Sequence, residues 1–549
     1  MTAKSNLSKI LKDLLDKKGI GWPKGARIEI PKEEKFGDLS TNVALVASPY
    51  LKKPPREIAE SLKEELTAQK EIDRVEVAGP GFLNFFFTKE FWQQVLKEVL
   101  DKKEEYGKSN IGKGKKVLVE YVSANPTGPL HVGHGRGAAV GDSIARILRF
   151  AGYQVNTEYY INDAGRQMKL LGLSIFIRYK QLFGKDGELC EDCYKGDYIV
   201  DLAKELKDRY SDKLLNIPEE EAVDICADFG KDVLLEEIKE DLQNFRVEHK
   251  FWVSEKEFVE SGKVYEIVDE LREKGLAYEK NGALWFRSSK FGDSKDRVIR
   301  KSNQDFTYFA TDICYHADKF KRGYDLLIDV WGADHHGYAP RLKAAIKAIG
   351  KNPEDLKIIL VQIVNLIKSG ESVSMSTRAG QFVTLSQLCK DIGVDAARFV
   401  FLSRKSDSHL DVDLDLLKQK SMENPVYYVQ YAHARICSVF SKAKEKSINY
   451  ERNYKYLYFL DTADDIKILK KLDVFPEMVE LAATQLSPHV ISFYLTDLAG
   501  LFHHYYNKHP ILNLDNKDLI QARLLLLEGI AQVIRTGLDL LGVTAPEKM

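Results

Sequence analysis

The chain has 549 residues, 30% of them charged and 44% hydrophobic, with a formal net charge of −1. That length exceeds one ordinary core and implies about three or four domains. No apolar run is long enough to span a bilayer, and the near-zero charge gives no global attraction to a polyanion, so an RNA partner would need local basic surfaces.

At the N-terminus, Leu7, Ile10, Leu11, Leu14 and Leu15 recur at helical spacing between lysines and aspartates. This describes an amphipathic helix that opens a domain, not the continuous apolar core of a signal peptide, and the expected location is the cytoplasm. Val75, Val77 and the run from Phe82 to Phe87 read as strands, so residues 1–110 are expected to form an α+β domain without a phosphate-type loop. Residues 104–116, rich in Lys, Glu and Gly, read as a linker carrying the basic cluster Lys113, Lys115 and Lys116.

The next twenty residues, VLVEYVSANPTGPLHVGHGR from Val117 to Arg136, hold the densest signal. Val117, Leu118 and Val119 form a short buried strand, broken by Pro126, Thr127, Gly128 and Pro129. Val140, Ile144, Ile147 and Leu148 then mark a helix ended near Gly152, and Val155, Thr157, Tyr159 and Ile161 alternate as a second strand. The unit is β-α-β, which places the loop and the helix N-terminus at the carboxyl edge of a parallel sheet, where unpaired N–H groups favour phosphate. His131 and His134 sit at that switch, and Gly133 leaves room for a ring to approach the backbone. Glu120 ends the first strand and points to the same edge.

Residues 111–390 are thus expected to be a doubly wound, Rossmann-type α/β domain, with a charged, helical insertion at about 185–300. Within the insertion, Cys190 and Cys193 form a single Cys-x-x-Cys that lacks the second half of a zinc site and reads as part of a surface loop; no metal site is expected. Tyr308 and Asp312 stand four apart, on one face of a helix. Leu326, Leu327, Ile328, Val330 and Trp331 make another buried strand, followed by a glycine-bearing loop with His335 and His336. A last strand, from Lys357 to Leu366, leads into the small polar loop Lys368-Ser369-Gly370-Glu371-Ser372-Val373-Ser374-Met375-Ser376-Thr377-Arg378-Ala379-Gly380. From about residue 391, beginning Asp395-Ala396-Ala397-Arg398, the pattern is helical almost throughout, and residues 391–549 are expected to be an all-α domain.

His131-Val132-Gly133-His134 resembles the HIGH signature of class I aminoacyl-tRNA synthetases, and the surrounding string resembles its arginyl-tRNA synthetase version. The loop at Ser374 to Arg378 resembles the KMSKS loop of that class, with Ser374 and Thr377 in both lysine positions and Arg378 as the one nearby cation. The resemblance covers essentially the whole chain. It implies a Rossmann-type (HUP) catalytic domain, an N-terminal domain meeting tRNA, and a helical anticodon-binding (DALR-type) domain.

The activity it implies is attack of the arginine carboxylate on the α-phosphate of ATP, followed by esterification of the terminal adenosine of tRNA(Arg), by a monomer that needs bound tRNA for activation. His131 and His134 would donate hydrogen bonds to the phosphates, Gly133 and Gly135 would admit the adenosine, and Met375, Ser376 and Arg378 would close over pyrophosphate, with Lys115 or Lys116 as substitutes for the missing lysines and Mg2+ accompanying ATP without a dedicated protein site. Selecting a planar, permanently charged guanidinium requires carboxylate acceptors. Glu120, Tyr308 and Asp312 are assigned to it, Asn125 to the substrate's amino or carboxylate group, and His336 to a place nearby. Stacking of unpaired bases assigns Tyr428, Tyr431 and Tyr506 to RNA, and the family segment assigns Phe82 and Asn84 to the tRNA elbow. Two other readings are a small-molecule nucleotidylyltransferase and a non-catalytic RNA-binding relative.

Overall fold

The computed structural model describes residues 2–373 and 382–549. Helix Ala3–Lys17 starts where Thr2 accepts the Ser5 N–H, and it buries Leu7, Leu11, Leu14 and Leu15. With helices Val43–Leu51 and Pro55–Thr67 it accompanies an antiparallel sheet ordered Ile28–Glu29, Leu39–Thr41, Phe82–Phe87, Ile72–Ala78. This is the α+β arrangement expected of the N-terminal residues.

A five-stranded parallel sheet follows, ordered Leu356–Val361, Leu326–Gly332, Lys116–Glu120, Gln154–Ile161, Phe251–Ser254. Its central strand is Lys116–Glu120, covered on both faces as its unbroken apolar run requires. The edge strand Phe251–Ser254 lies inside the stretch 185–300; at four residues, each half-buried, it has neither the length nor the apolar run that marks its neighbours. The rest of that stretch belongs to two satellite units with cores of their own. Helices Arg166–Gln181, Asp197–Tyr210 and Glu219–Asn244 bury Leu171, Ile175, Leu202 and Leu234 together. A three-stranded antiparallel sheet, Ala277–Lys280, Ala283–Phe286 and Arg297–Arg300, packs with helices Lys263–Glu273 and Tyr308–Lys321.

The single strand expected from Lys357 to Leu366 is two. Leu356–Val361 stays in the parallel sheet, whereas Val364–Lys368 turns away to pair with Leu410–Asp413 and Glu371–Ser372. The break falls where Gln362 N–H bonds the Ser406 carbonyl at 2.8 Å, so periodicity within one apolar run could not show it. Leu410–Asp413 is also a strand within the stretch read as helical. Beyond it, helices Pro425–Glu445, Ala463–Gln485, His489–Lys508 and Lys517–Leu540 form the all-α part. Helix Lys89–Lys102 docks on this bundle, with Gln93 donating to the Leu460 carbonyl at 3.1 Å and Leu96 filling the space beside Gly529. One continuous core runs from the N-terminal domain through the sheet into the bundle.

Candidate active site

Helix Val132–Phe150 begins at the carboxyl end of the central strand, and His131 is its N-cap. His131 Nδ1 accepts the N–H groups of Gly133 at 3.1 Å and His134 at 3.3 Å, and His134 Nδ1 accepts the His131 N–H at 3.3 Å. The two rings stack with centroids 3.6 Å apart. This reciprocal capping fixes the tautomers: with each Nδ1 spent as an acceptor, the proton of each neutral ring stands on Nε2. Burial lowers both rings from the usual imidazole value, and burial with the adjacent His131 takes His134 to about 3. Two neutral N–H donors therefore stand side by side at a helix N-terminus, a geometry suited to phosphate oxygens.

Gly133 lies against the His131 ring, and a Cβ there would stand 3.0 Å from it. Gly135 does not face a ligand: its Cβ position is filled by Leu385, 2.6 Å away, and by Phe401. Its smallness serves close packing of the helix on Leu385–Ile392 rather than admission of adenosine. Met375, Ser376 and Arg378 lie outside the described residues, as do Ser374 and Thr377. The chain after them returns to the histidines: Val132 N–H bonds the Val383 carbonyl, Leu385 N–H bonds the Leu130 carbonyl at 2.7 Å, and Phe382 stands edge-on to His131. Lys115 and Lys116 cannot reach this place. They are exposed at the amino end of the central strand, and four residue steps at ~3.3 Å each separate Lys116 from Glu120 at its carboxyl end.

A cavity of 1220 Å³ opens beside the histidines, lined by Asn125, His131, His134, Tyr308 and Glu255 among others. Pockets for one small ligand run ~300–1,000 Å³, so two substrates can share it. Asn125 donates to Gln167 Oε1 at 2.5 Å, across to helix Arg166–Gln181. Tyr308, 52% exposed, opens helix Tyr308–Lys321 with its ring at the cavity wall. Asp312, one turn on, accepts the Tyr338 hydroxyl, and burial raises its pKa.

Sequence reasoning missed Glu255. It follows the short edge strand, is buried and lines the cavity, and its Oε2 has no hydrogen-bond partner among the described residues. Burial, then the neighbouring Asp312 and Asp163, push its carboxyl up to about 8. The Tyr160 hydroxyl, which feels the same acids, is likewise buried without a hydrogen-bond partner among the described residues. The strand that carries Glu255 into place was the one periodicity did not show.

Glu120, in contrast, turns inward. Val122 and Ser123 adopt φ of +70° and +39°, which brings Ser123 Oγ within 2.9 Å of Glu120 Oε1. The other carboxylate oxygen accepts Tyr315 at 3.0 Å and meets the fully buried Lys319 ammonium, which also binds Asp329 at 2.9 Å. His316 Nε2 stands 2.8 Å from Asp329, and Arg322 pairs with Glu158. Glu120 is thus a member of a closed ion network beneath the site and absent from the cavity wall. His336 is exposed on the turn after Leu326–Gly332, its Nδ1 3.1 Å from the Ala333 carbonyl, and does not line the cavity either.

In the helical part, Tyr427 and Tyr431 stack at 5.6 Å, Tyr428 and Tyr431 flank His503, and the Arg435 guanidinium lies over the rings of Tyr431 and Tyr506. These rings are half-buried and cluster between helices Pro425–Glu445 and His489–Lys508. Phe82 is 41% exposed, whereas Asn84 is buried in the middle of its strand, opposite Ser40 and Glu76, where it cannot meet an external partner. Cys190 and Cys193 form a disulfide at the cavity's edge.

Three family models match the chain: the arginyl tRNA synthetase N terminal domain over residues 1–87, the catalytic domain of tRNA synthetases class I (R) over 95–436, and the DALR anticodon binding domain over 429–549. The arginine–tRNA ligases of Solidesulfovibrio magneticus and Oleidesulfovibrio alaskensis are 55% and 53% identical to it, each alignment covering 100% of both chains. The arginyl-tRNA synthetase structure of Thermus thermophilus shares the fold with a TM-score of 0.78 at 24% identity, covering 100% of both chains.

Proposed function

The chain belongs to the arginyl-tRNA synthetase family, and on that premise we propose how its residues divide the work of an arginine–tRNA ligase, which joins arginine to tRNA through arginyl-adenylate with ATP as the energy source. The observation that carries the reading is one cavity with two opposite characters. One part of its wall carries two neutral imidazole donors on a helix N-terminus; another carries the buried Glu255 carboxyl, whose Oε2 has no partner among the described residues and which feels the nearby Asp312.

The triphosphate lies against His131 and His134, whose Nε2–H groups strengthen their hydrogen bonds as negative charge grows on the phosphoryl oxygens. Because the rings stay neutral, they donate without needing to be protonated first. The arginine guanidinium lies against Glu255 as its acceptor, with Asp312 adding negative charge from outside the lining and Tyr308 forming the wall. Glu255 ionises when the cation arrives, since an opposite charge favours the carboxylate that burial disfavours. Asn125 orients the amino-acid head toward the α-phosphate. Glu120 acts indirectly, holding helix Tyr308–Lys321 to the central strand through Lys319 and Tyr315. No covalent enzyme nucleophile is required, and catalysis is alignment plus charge stabilisation.

Magnesium enters with ATP as part of the substrate. Tyr428, Tyr431 and Tyr506, with Arg435, receive unpaired bases of tRNA(Arg), and Phe82 contributes an exposed ring from the N-terminal domain. Ser376 and Arg378 take the pyrophosphate. The protein works as a monomer in the cytoplasm, and no described helix is long and apolar enough to cross a membrane.

Charging of total tRNA with each amino acid in turn tests the reading. Transfer of arginine alone is expected. Transfer of no amino acid, with tRNA still bound, would favour the non-catalytic alternative; ATP-dependent nucleotide transfer to a small molecule without tRNA charging would favour the nucleotidylyltransferase.

A further inference from the structure

The segment Asp395-Ala396-Ala397-Arg398 has so far served only to mark where the helical part begins, yet its arginine is among the largest fully buried side chains in the molecule. Arg398 lies on helix Val394–Phe401 and reaches three other parts of the chain. One guanidinium nitrogen meets Asp142 on the helix that carries His131 and His134. A second donates to the Phe245 carbonyl at 2.9 Å, where the insertion returns to the sheet, and Nε donates to the Leu541 carbonyl at 3.0 Å, at the end of the last helix. The fit is tight: Gly542 has φ +66°, and a Cβ there would stand 2.2 Å from the guanidinium.

The same helix has a second anchor. Asp395 accepts the Thr544 N–H at 3.1 Å and Gln430 Nε2 at 2.8 Å, and pairs with Arg246, whose guanidinium also donates to the Gly542 carbonyl at 3.1 Å. Gln430 and His433 lie on helix Pro425–Glu445, which bears Tyr427, Tyr428 and Tyr431, and both hold the C-terminal segment, Gln430 through the Thr544 carbonyl at 2.9 Å and His433 through the Pro546 carbonyl at 2.9 Å. On the other side, Asp142 also takes Arg146 at 2.8 Å, and Arg146 reaches the Asp539 carbonyl.

We propose that Arg398 is a positioning residue for adenylate formation: paired with Asp142, it sets the axis of helix Val132–Phe150 against the C-terminal helical domain and so fixes where His131 and His134 meet the triphosphate. Asp142 lies on the same rigid helix as the histidines, about two turns beyond them, so a shift at Asp142 is carried to the ring nitrogens. Misplacement of a donor by about 1 Å can cost on the order of 100-fold in rate. Neither Arg398 nor Asp142 lines the cavity, so ground-state binding has no reason to follow. A guanidinium is needed because the three acceptors lie in different directions, and an ammonium has no rigid fork to meet them all.

The inference rests on the adenylation reading above, and the test separates the two. Arginine charging is measured for the full chain with intact tRNA, for the parent and for Arg398→Lys, which keeps the charge opposite Asp142 but loses the fork. The expected result is a kcat at least tenfold lower, with KM for arginine and ATP within about threefold of the parent. An unchanged kcat, or a KM that rises in step with the fall in kcat, overturns the proposal. Thr544→Val removes the hydroxyl that donates to Asp395 and so loosens the same clamp from the C-terminal side while Asp395 keeps Arg246, so it answers if Arg398→Lys does not fold: a severalfold fall in kcat at constant KM is expected, and parent-like kcat overturns the proposal. Failure of the parent itself to charge arginine would sink the adenylation reading instead.

Discussion

Replacing Glu255 with Gln removes a buried ionisable group from the cavity wall, and two opposite effects should follow. In the empty protein the carboxyl has been pushed from 4.5 to about 8 by burial and by Asp312 and Asp163. An acid raised in the folded state keeps its full stabilising contribution below the unfolded value near 4.5, and that contribution is lost as pH climbs through 8. At ~1.4 kcal/mol per pH unit, ionising the empty site above pH 8 costs on the order of 5 kcal/mol, so Glu255→Gln should melt higher than the parent at alkaline pH. Arginine binding should move the other way. Loss of a charge-assisted hydrogen bond worth ~1.5–3 kcal/mol raises KM for arginine about ten- to a hundredfold, while KM for ATP stays put.

The parent's arginine KM should also fall about tenfold per pH unit on approach to pH 8, because the site must shed its proton to accept the cation. Above that it should level off, and the variant should lack this slope. Initial charging rates across the pH range, alongside thermal melts, measure both effects. A pH-independent arginine KM in the parent, or equal losses for arginine and ATP in the variant, would refute the assignment of Glu255 to the guanidinium.

His131→Asn keeps a side chain that can cap the helix, so the melting temperature should hold while kcat falls by ~100- to 1,000-fold, the usual cost of removing a preorganised donor; a parent-like kcat would remove His131 from the chemistry. Lys319→Met strands Glu120 and Asp329 as buried, uncompensated acids and should cost ~3–5 kcal/mol in denaturant unfolding; a loss below about 1 kcal/mol would mean the network is not closed as described. Tyr431→Ala should raise KM for tRNA by roughly 5- to 100-fold, the worth of a base stack at ~1–3 kcal/mol, and leave KM for arginine unchanged; parallel changes in both would argue for a packing role instead.

The histidine pair and its helix were legible because their signals are local: a buried strand, a Pro/Gly break and an N-cap lie within twenty residues, and the capping geometry is written into the spacing of His131 and His134. The helix that carries Tyr308 and Asp312 was legible for the same reason, although only Tyr308 lines the cavity. What escaped was set by tertiary context. Glu255 depends on a four-residue edge strand with no periodicity to find, and its burial is a property of the pocket wall. Glu120 reads identically on paper whether it faces a ligand or Lys319, which lies 199 residues away; only the left-handed turn at Val122 and Ser123 and the helix opposite decide. Gly135 and Asn84 show the same limit. A glycine after a phosphate-type turn and an asparagine in a segment resembling the family's elbow contact suggest ligands, but packing against Leu385 and an inner strand position claimed them for the core.

Arginine and citrulline offer the most direct test of the claim that this cavity selects its amino acid by charge. The two differ in replacing the guanidinium by a neutral ureido group of nearly the same shape, so size and hydrogen-bonding length are held constant. Single-turnover transfer to tRNA should favour arginine by at least about 100-fold, the equivalent of ~2.7 kcal/mol, and the Glu255→Gln protein should lose most of that preference. Transfer of both at similar rates by the parent protein, or a preference that survives in the variant, would contradict the account.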